Sequence, residues 1–227
     1  MKEAVRDRVR LKKQVKEALQ RRDLEGVARL ALENPTTIGI LFNLSYDKQS
    51  LITWRAVEAM GEVGKALTER SKEEGRELMK RLLWSITEES GGLGWSSIEM
   101  MAEVVLRRPD VFSDIPLLLP EYFEEPVFRE SVIYALWRIA SERPDLLELE
   151  ALKEILKEAL QMDEPYLWAL ALMTIDATRN LIDYDDLDIK STITADQTPL
   201  RIYRDGDFIK TTVKEIWEKL ALPLKTR

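Results

Sequence analysis

Four glutamates are the most chemically suggestive set in this chain. Glu58 and Glu62 lie one helical turn apart, and Glu99 and Glu103 repeat that spacing 41 residues later. Side chains four apart share one helix face. If the two helices are neighbours, four carboxylates form a cluster that suits hard divalent ions such as Mg²⁺ or Mn²⁺. Dinuclear carboxylate sites between facing helices pair Glu-x-x-His motifs, however, and this chain has no histidine. Ion-paired surface glutamates, with Arg55 three residues before Glu58, are the reading adopted, and neither metal nor cofactor is expected. With cysteine also absent, thiol catalysis, disulfides, Ser-His-Asp triads and thiolate zinc sites are excluded. Any chemistry falls to carboxylates, Lys, Arg, Tyr, Ser or Thr, so no catalytic residue is assigned.

The second set of candidates is a loop, Trp84 to Trp95. It contains Glu88, Glu89, Gly91, Gly92 and Gly94, with three of the chain's nine glycines inside four residues. Glycines before Ser96 and Ser97 could let backbone N–H groups hold an anion at a helix start. The segment matches neither a P-loop nor a dinucleotide fingerprint, and its glutamates repel phosphate. It reads either as a tight interhelical turn covered by tryptophans or as a binding loop.

These residues are positioned by a repeat. Ala59-Met60-Gly61-Glu62-Val63, Met100-Met101-Ala102-Glu103-Val104, Ala135-Leu136-Trp137-Arg138-Ile139 and Ala171-Leu172-Met173-Thr174-Ile175 recur every 35 to 41 residues. That period marks stacked helical hairpins. Counting five residues before each copy gives Trp54, Trp95, Glu130 and Tyr166, an aromatic column that suits packing or an interface anchor. Glu103 and Arg138, in adjacent copies, form a candidate inter-repeat ion pair.

Helices are expected over Leu24–Glu33, Thr37–Leu44, Ser50–Arg70, Glu73–Thr87, Ser96–Leu106, Ser113–Tyr122, Val127–Glu142, Leu149–Gln161 and Tyr166–Leu181, punctuated by prolines. The first 22 residues form a basic helical stretch with Val5, Val9, Val15 and Leu19 as its apolar stripe, either a capping helix or a partner-binding arm. After an acidic turn at 183–188, Leu200–Arg204 and Asp207–Lys210 flank Asp205-Gly206, a type I′ hairpin signal. Thr212-Val213-Lys214-Glu215 then reads as a capping box opening a last helix. The expected organisation is an all-α solenoid of helical hairpins over 1–182, with 1–23 as its N-terminal cap, and a β-hairpin plus helix cap over 183–227.

Over roughly Thr53 to Leu181 the chain resembles HEAT and PBS-lyase HEAT-like repeat proteins. The Trp84 to Trp95 stretch, with Tyr203-Arg204-Asp205-Gly206, is similar to an uncharacterised prokaryotic HEAT-like family. The resemblance implies an α-solenoid, armadillo-like in architecture, that offers a curved surface to a protein partner and acts as a non-catalytic scaffold or assembly factor. The binding patch expected on it combines Trp54, Arg55, Glu58, Trp84, Glu88, Glu89, Gly91, Gly92, Gly94, Trp95 and Glu99. The alternative is a HEAT-like nucleic-acid-binding protein or DNA glycosylase-type enzyme, for which Arg55, Arg138 and Asp176 are the candidates. A net charge of −7 speaks against nucleic acid. No membrane span or apolar leader is legible, so a cytoplasmic protein is expected.

Overall fold

The computed structural model describes residues 2–87, 96–187 and 189–220, without the side chains of 2–4. The described residues are mostly helical, with one two-stranded sheet among them. Its residues fall into two compact units, Met1–Phe112 and Ser113–Arg227. Among the described residues no helix is long and apolar enough to cross a membrane.

The first unit contains α1 (Lys2–Gln20), α2 (Leu24–Glu33), α3 (Thr36–Leu44), α4 (Leu51–Arg70), α5 (Lys72–Thr87), α6 (Ser97–Arg107) and the single turn α7 (Pro109–Phe112). Helix α4 is its centre, packing on α2, α6 and α5. Most of its residues are buried because apolar or small side chains surround it, not just one stripe. Two glycines set its distance from α6. A Cβ on Gly61 would lie 2.8 Å from the backbone oxygen of Glu103, and one on Gly64 2.7 Å from Val104 Cγ2. Close approach here requires residues without a side chain.

The apolar stripe expected on α1 is only half inward. Val15 and Leu19 are buried with Leu11 and Ala18, whereas Val5 and Val9 are 58% and 65% exposed. At 100° per residue, Val5 and Val9 rotate well away from the face that carries Leu11 and Val15. Helix α1 ends in a Schellman-type reversal at Arg22, with φ 55°. There the Asp23 N–H donates to Ala18 O (2.9 Å) and the Arg22 N–H to Leu19 O (3.0 Å).

The second unit contains α8 (Arg129–Glu142), α9 (Leu149–Gln161), α10 (Pro165–Thr178), the short α11 (Ser191–Thr194), strands β1 (Leu200–Arg204) and β2 (Asp207–Thr211), and α12 (Val213–Lys219). The helix expected over Ser113–Tyr122 is instead a 3₁₀ stretch, Pro116–Glu124. Pro120 lacks the N–H that an α-helix would direct to Pro116 and its ring clashes there, so the tighter winding replaces it. The strands pair antiparallel with Arg204 opposite Asp207, leaving Asp205-Gly206 as the two-residue turn. Both turn residues have positive φ, 53° and 93°, as a type I′ turn demands. The Thr212 hydroxyl accepts from the Glu215 N–H (3.1 Å), while Glu215 accepts from the Thr212 N–H (3.1 Å), completing the capping box.

Candidate protein-binding site

In the first unit a run of serines ties together the ends of α3 and α5 and the start of α6. Ser85 Oγ lies 2.6 Å from Ser97 Oγ and also donates to Leu82 O at 2.6 Å. Ser96 Oγ donates to Ser45 O (2.7 Å), and Ser45 Oγ to Phe42 O (2.8 Å). The end of α3, the end of α5 and the start of α6 are thereby stitched together. Lys48 Nζ reaches buried Glu99 at 2.7 Å from the same α3–α4 connection. This frame presents aromatic rings outward. Trp84 is 70% exposed and Tyr46 52% exposed, while Phe42 is half-buried with the Arg81 guanidinium 5.9 Å from its ring centre. An Arg over an aromatic face is a cation–π contact, and exposed Trp, Tyr and Arg together are the composition of interface hot spots.

The residues expected to form the patch divide on inspection. Trp54 is a core residue, 4% exposed, and its indole N–H donates to Lys48 O (2.9 Å). A ring committed inward in this way is not the partner-facing anchor expected of it. Glu58 is buried and clasped by Arg22 through Nε (3.1 Å) and Nη2 (2.5 Å). Arg55 donates to Leu19 O (3.2 Å) and Gln20 O (2.6 Å), capping the carbonyl end of α1, where cations are favoured. Trp84 alone among the described candidates is strongly exposed. Glu88, Glu89, Gly91, Gly92, Gly94 and Trp95 lie outside the described residues. Tyr46, Phe42 and Arg81 were missed because no periodicity links α3 to α5.

Compared with protein-family models, curated proteins and solved structures, the chain matches none.

Three of the four glutamates are each taken by a different cation. Glu58 takes Arg22, Glu62 takes Arg107 at 2.6 Å, and Glu99 takes Lys48. No group of three or more Asp, Glu, His or Cys among the described residues could hold a metal. The residues proposed for nucleic-acid chemistry have local partners in their own units: Arg138 bonds Glu142 (2.8 Å) and Asp176 bonds Arg179 (3.1 Å).

Two sizeable ionisation shifts lie in the second unit. Lys153 and Lys157, at 2.6 and 3.0 Å, hold the Asp186 carboxyl down to about 2. Burial pushes the Tyr184 phenol up to about 12, although its hydroxyl lies 2.7 Å from Thr178 Oγ1. Both groups tie the segment after α10 to a helix, Asp186 to α9 and Tyr184 to the end of α10.

Proposed function

We propose that the protein is a non-catalytic, cytoplasmic protein-interaction scaffold, built from HEAT-like helical hairpins stacked as an α-solenoid and closed by the β-hairpin and α12. Two local repetitions support the repeat reading. Arg108-Pro109-Asp110 ends α6 and Arg143-Pro144-Asp145 ends α8, 35 residues apart. In each, the Arg fork grips the Asp two residues on, at 2.9 and 2.8 Å in the first and 2.8 and 2.6 Å in the second. Trp54 and Trp168 are each the fourth residue of their helix, and each indole donates to the carbonyl six residues upstream.

The observation that carries the binding function is the exposed Trp84, with Tyr46 and the Arg81–Phe42 pair around the serine frame. Burying these rings in a partner would supply the anchoring energy, with Arg81 giving directional contact. The test is purification of tagged protein from its host beside a Trp84→Ala, Tyr46→Ala variant, with copurifying species identified by mass spectrometry. A stoichiometric protein present with the wild type and lost with the variant is expected. Truncating a hot-spot residue costs about 2 kcal/mol or more, roughly thirtyfold in Kd. Recovery of nucleic acid or a small molecule alone would end the scaffold reading.

A further inference from the structure

The first 22 residues carry nine Lys or Arg against three Asp or Glu, in a chain whose net charge is −7. This charge is organised around a groove. Between α1 and α3 lies a depression of about 410 Å³ lined by Val5, Arg8, Val9, Lys12, Ile40 and Asn43. Its floor is apolar, through Val5, Val9 and Ile40, and Arg8 and Lys12 form a cationic rim. Neither Arg8 nor Lys12 has an ion-pair partner among the described residues. Val5 and Val9 are one turn apart, the i, i+4 spacing with which one helix meets another.

A second observation bears on the same place. Gly39 is in the middle of α3, and the Asn43 side chain, which lines the groove, donates to its carbonyl (2.6 Å). A Cβ added at Gly39 would meet nothing within 4 Å. The fold therefore gives no packing reason for glycine at an interior helical position, where it lowers stability relative to alanine. Absence of a side chain beside an open groove leaves room for the backbone of something that docks there.

We infer that the α1–α3 groove is a docking site for an acidic amphipathic helix from a partner protein. Its apolar residues would cover Val5, Val9 and Ile40, its backbone would pass close over Gly39, and its carboxylates would meet Arg8 and Lys12. A nucleic acid fits less well, because the valines occupy the centre of the cationic face and the rest of the chain is strongly acidic. A membrane surface is disfavoured because the groove lining contains no aromatic residue to anchor in the headgroup region. This surface does not depend on the Trp84 patch, and either reading can fail alone.

The probe is a fluorescein-labelled 21-residue peptide with leucines at i, i+3, i+4 and i+7 spacing and glutamates elsewhere. Its binding to the full chain is followed by anisotropy at two salt concentrations. Parallel arms use a scrambled peptide of the same composition, vesicles containing phosphatidylserine, and a 25-base-pair DNA duplex. The amphipathic peptide should bind best and weaken with added salt. Val9→Asp and Arg8→Glu should each reduce its affinity about tenfold or more, the loss of one good contact. Gly39→Met should do the same while leaving the melting temperature unchanged or raised. Equal binding of the scrambled peptide, preference for vesicles or duplex, insensitivity to the three variants, or no peptide binding at all would each overturn the proposal.

Discussion

At the third position of the recurring pentapeptide the two units differ sharply. In the first it is Gly61 and Ala102, and α4 lies so close to α6 that a single Cβ at Gly61 would collide with backbone. In the second it is Trp137 and Met173, and their side chains line a cavity of about 390 Å³ walled on its other side by Ile202, Ile209 and Ile216. Trp137 is nonetheless buried and packs edge-on to Tyr134, with ring centres 5.5 Å apart. The Tyr134 hydroxyl in turn donates to Tyr203 O of β1 (3.4 Å). One sequence position thus serves two designs. Small residues bring helix backbones together, whereas large ones border a half-open pocket shared with a hairpin and a short helix.

Four measurements bear on this contrast. Trp137→Ala should have the largest effect, about 3–5 kcal/mol of unfolding free energy, because it enlarges an existing cavity and removes the Tyr134 contact. Denaturant melts would show it, and a loss below 1 kcal/mol would mean that the ring only borders the cavity. Gly61→Ala should cost about 1–3 kcal/mol, since backbone and not a flexible side chain blocks the new methyl group. A neutral result would dissolve the contrast between the units.

Tyr184 tests the second unit alone. Its phenol is held neutral above the ordinary value of 10, so its contribution is complete below pH 10 and is lost as pH rises from 10 through about 12. Tyr184→Phe should lose about 1 kcal/mol at neutral pH through the missing Thr178 contact and should lack that alkaline step. Retention of the step in the variant would assign it elsewhere. The smallest effect is expected from Arg108→Met and Arg143→Met, whose forks hold the exposed Asp110 and Asp145 below the usual carboxylate range. Their contribution is present above the ordinary carboxyl value and fades as pH falls below it. Matching small shifts in melting temperature would sharpen the equivalence of the two Arg-Pro-Asp turns, and unequal shifts would break it.

Features fixed by neighbours in the chain were legible from sequence. The Asp205-Gly206 turn, the Thr212–Glu215 box and most helix bounds follow from local dihedral preferences and capping, which leave residue signatures. The 3₁₀ stretch was hidden because its leucines imitate an α-helical pattern, although Pro116 and Pro120 held the clue. Counting from the pentapeptide aligned Trp54 with Tyr166, but counting from helix starts aligns it with Trp168. The helix start is the better origin because the indole bond is made to the preceding connection. Trp84 could be named from sequence, yet Phe42 and Arg81 are distant in the chain and meet only through a tertiary contact between one residue of α3 and one of α5.

The Arg22–Glu58 clasp has a consequence during synthesis. An αL C-cap is usually left to glycine; here it is occupied by an arginine whose guanidinium is held by a carboxylate 36 residues away. At about 5–20 residues per second, a ribosome needs roughly 2–7 s to make the intervening chain. For that interval the cationic first helix emerges with its end unlocked. Its seating on the first unit therefore waits for α4, whose synthesis follows within those seconds.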